Sequence, residues 1–458
     1  MTESSSLRGI SVIVIGAGFG GLSSGIELAS KGAKVLLFES FPDMTRQGDV
    51  IQIPANATRL MSRWGKVIET VAGMSACPDV LTIQDKSGKA LLDQPLHTGY
   101  DGFPNLYSPR GKIQELMHDH AVSLGVEVKF GTAVTEIFDT VSDAGVIADG
   151  NTYKADLVIA GDGVHSKARS YVTGISDRPK KSSFAVYRSW FPLALLQQDP
   201  LTADLLKSGK DLFQIWIAED THAILTTNNA LQAATCFVTH KDTSDISEDW
   251  NLRGDPKDML ACVQDWDPRL RGIIEKIPPE CLIDYKLLWR DPVPQWVSQH
   301  GRVCLIGDAA HPHLATSGTG AAQAIEDSAT IATLLRITGK ANIPLALRAF
   351  QKLRYERTSL TQRMGWETRH VWHQTDWDMV SKNPEILKFP QPAWLLGSDA
   401  VKYAEDNFEA VKAHIEKGSV FKSTNVPDGH VHQDWTIETM LANEGKRVDK
   451  DFYKTRDN

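Results

Sequence analysis

The segment from Val12 to Glu39, VIVIGAGFGGLSSGIELASKGAKVLLFE, constrains the fold of this chain more than any other, because its order of elements specifies a site for a dinucleotide diphosphate. Four apolar, β-favouring residues, Val12 to Ile15, lead into a turn carrying Gly16, Gly18 and Gly21, then a helical pattern, then a second apolar run, Val35 to Phe38, ending in an acid. Gly16 allows a tight turn, Gly18 lets backbone approach a pyrophosphate without a β-carbon in the way, and Gly21 lets the helix lie close on the strand. The helix start supplies free amides and partial positive charge for phosphate oxygens. Glu39 follows about twenty residues on, where a carboxylate accepts both ribose hydroxyls and repels a 2′-phosphate. The pattern selects FAD or NAD as the dinucleotide, not NADP.

At 458 residues the chain exceeds what one hydrophobic core usually serves, so more than one domain is expected. A net charge of −8 without a basic run argues against nucleic acid as a partner and favours small molecules. The five cysteines, Cys77, Cys236, Cys262, Cys281 and Cys304, are scattered without a C-x-x-C pair and read as reduced core residues of a cytoplasmic protein. MTESSSLRG lacks the basic and apolar parts of a signal peptide. Glycines, serines and Glu27 interrupt the apolar run from Ile10 to Ala29, so no membrane anchor is expected. The histidine pairs His311/His313 and His430/His432 have no third ligand in view, and no metal site is expected.

Asn56 is read as the cap of a short helix with Leu60, Met61 and Trp64 as its apolar stripe. Val80 to Leu92 reads as a hairpin. Pro109 opens and Gly125 closes a helix on which Ile113, Leu116, Met117, Ala121 and Leu124 recur at helical spacing. Asp149-Gly150 marks a hairpin turn, and Leu157 to Ala160 suits a strand buried on both faces. From about Ser183 the texture changes to FAVYRSWF, LFQIWIAED, HAILTTN and ATCFVTHK, which predicts an antiparallel sheet without crossover helices. Asp249 to Glu280 reads as a helical connection. From Arg302 the first pattern returns in VCLIGDAAHP. The fold class is therefore α/β: a Rossmann-like dinucleotide domain in two parts, residues 1–182 and 296–375, interrupted by a mainly antiparallel substrate domain, 183–295. A helical region, 376–458, follows.

Three segments line up in order: the glycine turn, DLVIAGDGVHSKAR, and LIGDAAHP with its sequel SGTGAAQAIED. Together they resemble the single-component, FAD-dependent aromatic monooxygenases typified by para-hydroxybenzoate and salicylate hydroxylases, over roughly the chain to Thr375. The resemblance implies FAD as resident cofactor, with Asp162, Gly163, Ser166 and Arg169 serving both the flavin and a visiting NADH or NADPH. It places a ribityl hydroxyl of FAD on Asp308 and counts Pro312, the last residue of that motif, among the cofactor-binding residues. Gly318 and Gly320, at a helix start, would set bare amides beside the flavin pyrimidine. Arg110 would reach the FAD from the side. The relatives usually carry a second proline and a glutamine in the third motif, where this chain has Ala315 and Thr319. Only one complete dinucleotide fingerprint exists, so NAD(P)H is expected to reduce FAD in passing contact. Dioxygen would then add at flavin C4a, and the hydroperoxide would pass its distal oxygen to an electron-rich aromatic carbon. The protein's share is to exclude water and present one ring face.

In FAVYRSWF, Phe184, Val186, Arg188 and Trp190 share one strand face. A guanidinium among bulky apolar neighbours needs a fixed anionic partner, either structural or the substrate. An arginine here resembles one in family members that handle phenolates and indoles over the flavin. Asp49 would lie near the isoalloxazine by resemblance, and could pair with Arg188, bind a substrate amine or cap a turn. NATRLMSRWG, GDGVHSKAR, HGRVCLIGDAAHP and TNVPDG look like the fungal monooxygenases that oxidise the indole ring of prenylated or peptide-derived alkaloids. Trp366, Trp372 and Trp377 could wall an aromatic pocket or serve as core. A phenol hydroxylase, an FAD-linked oxidase or dehydrogenase, and a flavin-binding partner protein without turnover stay open as alternatives. The chain is read as a monomer or homodimer acting on a small aromatic molecule with O2.

Overall fold

The computed structural model describes residues 6–44, 49–175, 180–242 and 252–442. The elements that build its cavity are β1 (Ser11–Ile15), α1 (Phe19–Ala29), β2 (Lys34–Phe38), β3 (Val80–Asp85), β4 (Ala90–Pro95), α2 (Arg110–Ser123), β5 (Glu127–Lys129), β6 (Leu157–Ala160) and α3 (Lys167–Thr173). They continue with β7 (Lys180–Ser189), β8 (Phe213–Ala218), β9 (Thr221–Asn228), β10 (Ala233–Lys241), β11 (Leu282–Trp289), β12 (Val303–Leu305), α4 (Gly320–Thr338), α5 (Ile343–His373) and α6 (Ala400–Lys417).

The apolar runs of the first pattern form a parallel five-stranded sheet in the order β12-β6-β1-β2-β5. Its strands carry little polarity because parallel strands are covered on both faces, and β6 and β12 are wholly buried. α1 lies close to α4 because both contribute small residues. The hydroxyls of Ser23 and Ser328 sit 2.8 Å apart between them. A β-carbon at Gly21 would fall 1.8 Å from the Gly16 carbonyl oxygen, so glycine there is a packing requirement. The Asp149-Gly150 turn, with both residues at positive φ, joins Ala144–Ala148 to Asn151–Ala155 as expected.

The second sheet runs β11-β7-β10-β9-β8-β3-β4, with Phe191–Pro192 also paired to β10. Its pairings are antiparallel except one. β3 joins β8 in parallel, Ile83 beside Ile215, so the early hairpin extends this sheet instead of the first. Alternation divides the sheet's two faces. Tyr187, Trp216, Leu225, Cys236 and Val238 pack against the short helices Pro256–Ala261 and Pro268–Glu275 through Met259, Leu270, Ile273 and Ile274. Each such fully buried side chain contributes about 1.5–3 kcal/mol, which makes these helices the backing of the sheet and not merely a connection. Residues 249–251 of that stretch lie outside the described residues. The opposite face is left for the cavity.

Two local expectations are corrected. Asn56 lies inside Ala55–Met61, whose cap is Pro54, and donates from Nδ2 to Glu326 at 2.7 Å. Strand β7 ends at Ser189, so Trp190 leaves the face that carries Arg188 and does not line the cavity. α5 is pinned to α4 by a buried network. Arg354 pairs with Glu326 and Asp327, and Arg357 donates to both oxygens of Glu326 at 2.9 Å. Arg357 also donates to the carbonyls of Trp394, Leu395 and Asn425, which ties the C-terminal region to the same network. Among the described residues, no helix is long and apolar enough to cross a membrane.

Candidate active site

One cavity of about 840 Å³ extends from the glycine turn of the parallel sheet to the open face of the second sheet. At its first end, Gly16 takes φ +92 and a β-carbon there would meet the Gly161 carbonyl oxygen at 2.4 Å. Gly18 and Gly163 line the cavity, and a β-carbon on either would meet nothing within 4 Å, which leaves a bare cradle for a diphosphate. Glu39 is buried at the end of β2 and accepts from the amides of Ala17 at 2.7 Å and Phe41 at 2.9 Å. A carboxylate has about four acceptor positions, so it can shape the turn and still accept hydroxyls.

The middle and third motifs are joined by a side chain. Asp162 accepts from Ser166 Oγ at 2.6 Å and from the Ala168 amide, and Ser166 caps α3 by accepting from the Arg169 amide. Arg169 then donates to the carbonyls of Ala309 at 2.9 Å and Asp308 at 2.8 Å. Asp308 and Arg110 both line the cavity. Burial raises the Asp308 pKa above the usual carboxylate range, opposed by the charges of His311, Arg110 and Arg169. Burial lowers that of Arg110, opposed by Asp308.

The start of α4 also opens onto the cavity through Gly318, Thr319 and Gly320, with Pro312 beside them. Gly318 takes φ +63, and a β-carbon would collide with the Phe389 ring at 2.5 Å. The loop before it docks on α5. Thr316 Oγ1 donates to the Gly365 carbonyl at 2.6 Å, and the side chain missing at Gly365 would lie 2.8 Å from Ser317 Cβ. His311, 2.6 Å from Asp327, and His313, bonded to Thr361, serve the same architecture.

Arg188 projects from β7 into the cavity and forms an ion pair with Asp49. Asp49 is buried and does not itself line the cavity; it holds the guanidinium from behind. Burial pushes the Arg188 pKa down to about 10, opposed by Tyr285, which leaves it charged at neutral pH. Of the expected tryptophans, Trp366 and Trp372 line the cavity, whereas Trp377 is exposed. Sequence reasoning missed the rest of the wall: Phe237, Tyr285, Trp289 and His222, which is bonded to the buried His373, and Arg369, whose guanidinium lies over Trp289 and Trp366 at 4.9 and 4.7 Å. It also missed Trp435 and Ile437, which return from the C-terminal region to the cavity. Trp435 Nε1 donates to Ser359 Oγ at 3.1 Å, and the Ile437 amide to Asp291 at 2.7 Å. The available signal was polarity in step: His222 and Thr226, two strands from Arg188, interrupt otherwise apolar strands on one face.

A parallel sheet whose glycine turn, buried acid and second glycine-rich helix start open onto one cavity defines a dinucleotide-binding oxidoreductase with room for a flavin. Comparison with known proteins narrows this class. The family model described as an FAD binding domain matches residues 9–345. Asperlicin C monooxygenase of Petromyces alliaceus is 35% identical over 89% of this chain and 90% of its own length. Notoamide E oxidase notB' of Aspergillus versicolor is 31% identical over 91% and 93%. The crystal structure of CtdE in complex with FAD and substrate 4 superposes with a TM-score of 0.84 at 31% identity, covering 89% of this chain and all of that one. A salicylate hydroxylase substrate complex, at 21% identity and a TM-score of 0.70, shares the fold. The chain belongs to this FAD-binding family and is a flavoprotein monooxygenase with FAD as its cofactor.

Proposed function

We propose that this enzyme uses NAD(P)H and O2 to oxygenate an electron-rich aromatic ring, the indole of a fungal alkaloid. The names of its relatives support the alkaloid setting. The observation that carries the reading is that Arg188, paired with Asp49, and the glycine-rich start of α4 border one cavity. Bound FAD, once reduced, supplies the activated oxygen. In this reading, Gly16, Gly18 and Gly21 seat the diphosphate, Glu39 the ribose and Asp308 a ribityl hydroxyl. Arg110, Asp162, Gly163 and Pro312 shape the flavin's surroundings. The amides at Gly318 and Gly320, at the start of α4, would stabilise negative charge on a reduced flavin bound there. Arg188 donates to the oxygen developing on the substrate, and Asp49 fixes its orientation. The aromatic wall excludes water and sets the ring's distance.

We read residues 183–295, extended by the β3–β4 hairpin, as the substrate domain between the two FAD-binding parts, 1–182 and 296–375. Of the C-terminal region, 376–458, the described residues to 442 act as a helical brace. Stopped-flow absorbance tests the activity: NADPH bleaches the flavin anaerobically, and an indole ligand accelerates the bleaching. Bleaching by the aromatic ligand alone would make the protein an oxidase instead.

A further inference from the structure

Register fixes which side chains are neighbours on the cavity face of the second sheet. Tyr285, Val186, Thr239 and His222 form one cross-strand row over β11, β7, β10 and β9. Arg188, Phe237, Ile224 and Ile215 form the next, over β7, β10, β9 and β8, and both rows line the cavity. With strands about 4.8 Å apart and alternate residues about 7 Å apart, the backbone of Arg188 is about 8.5 Å from that of Thr239 and about 12 Å from that of His222. That span exceeds an aromatic bicycle and suits a ligand with a second, polar part.

A polar group waits at the far end. His222 is buried, with Nδ1 2.7 Å from His373 Nε2 and Nε2 3.2 Å from Thr239 Oγ1. Phe184 and Trp372 pack on the two rings. Burial, aided by the charge of Arg369, pushes His222 down to about 3 and holds His373 well below its usual range, so both rings are neutral. Two neutral imidazoles in contact share one proton between the facing nitrogens. If His222 donates through Nδ1, its bare Nε2 accepts the Thr239 hydroxyl hydrogen, and Thr239 offers the cavity its lone pairs. If His373 donates, His222 carries its hydrogen on Nε2 and gives it to Thr239 Oγ1, which frees the hydroxyl to donate. One hydroxyl can thus serve as acceptor or donor without moving a charge.

An amide presents both a carbonyl and an N–H, so either of its edges meets a complementary state of this group. We propose that Thr239, its polarity set by the His222–His373 pair, is a second substrate anchor that takes the amide or lactam of a ligand whose electron-rich ring lies at Arg188. This rests on the aromatic-oxygenation reading above, and adds Thr239 as a residue that sets which ligands bind. His222 and His373 are positioning residues.

The test titrates the FAD-loaded full chain with a tryptophan–proline diketopiperazine and with 3-methylindole, following the flavin absorbance. Thr239→Val should weaken diketopiperazine binding about three- to tenfold, the worth of one neutral hydrogen bond, and leave 3-methylindole unchanged. Thr239→Ser should restore it. The ring nitrogens of 15N-labelled His222 should shift when the diketopiperazine binds the wild type, and not in Thr239→Val. Equal weakening of both ligands, or no weakening of either, would overturn the anchor while leaving aromatic oxygenation standing. Failure of both ligands to perturb the bound flavin would overturn that reading and the anchor together.

Discussion

Removing the Arg188 guanidinium separates a structural role from a chemical one. Arg188→Met leaves Asp49, 7% exposed, without its cation. Two unit charges about 4 Å apart attract by about 4 kcal/mol at an effective dielectric of 20, and breaking one side of a buried pair costs about 3–5 kcal/mol. The Arg188 side chain keeps 17% exposure, so the lower end applies, about 3 kcal/mol. Asp49→Asn should cost a similar amount by leaving the arginine uncompensated. The double variant removes both charges and should cost only about 1 kcal/mol, a coupling energy of about 5 kcal/mol between two single losses of about 3 each. Melting curves read this part. Turnover should behave differently, because a charged donor aimed at developing negative charge is worth about 10²–10³ in kcat. Product formed per NADPH consumed should fall in Arg188→Met and stay low in the double variant. A double variant that regains both stability and coupled oxygenation would refute the catalytic assignment and leave the pair as scaffolding.

Gly21→Ala should abolish FAD retention in gel filtration, since its β-carbon would lie 1.8 Å from the Gly16 carbonyl oxygen and force α1 off the turn. Gly365→Ala should shift the loop at Ser317, whose backbone would lie 3.0 Å from the new β-carbon, and weaken FAD binding about tenfold in fluorescence titration, with far-UV circular dichroism unchanged. Glu326→Gln should cost about 3 kcal/mol and lower the melting temperature at pH 7, because it takes the carboxylate from Arg357 and leaves Arg354 with Asp327 alone. Burial works to raise the Glu326 pKa, but the Arg357 and Arg354 charges outweigh it and hold the folded value below 4.5. A depressed folded pKa gives stability that is present above the unfolded value and lost as pH falls through the folded one. Melting temperature in the wild type should therefore drop below about pH 4.5, and less steeply in Glu326→Gln.

The first sheet was legible because its signals are local. Gly16, Gly18, Gly21 and Glu39 lie within one strand–helix–strand unit, and each answers a demand of the backbone around it. Asp308 and Gly318 were found through resemblance, and Arg188 through resemblance and strand alternation together; its pairing with Asp49 was one of three options that only the tertiary structure distinguished. The β3–β4 hairpin was read as a hairpin, but its parallel pairing with β8 depends on residues more than a hundred positions away, and no local pattern encodes it. Asn56 looked like a cap because a cap and a buried amide donor use the same residue type; Glu326, far along the chain, decides between them. His222 and His373 meet across 151 residues, and Trp435 and Ile437 reach the cavity from a region whose composition says only that it is helical and rich in tryptophan.

The most direct test of the account supplies the FAD-loaded protein with NADPH, an indole ligand and 18O-labelled dioxygen, and locates the label by mass spectrometry. One labelled oxygen on the indole ring, appearing with the oxidation of one NADPH, is the result the account requires. NADPH consumption that yields only labelled hydrogen peroxide with every indole and phenol offered would contradict it.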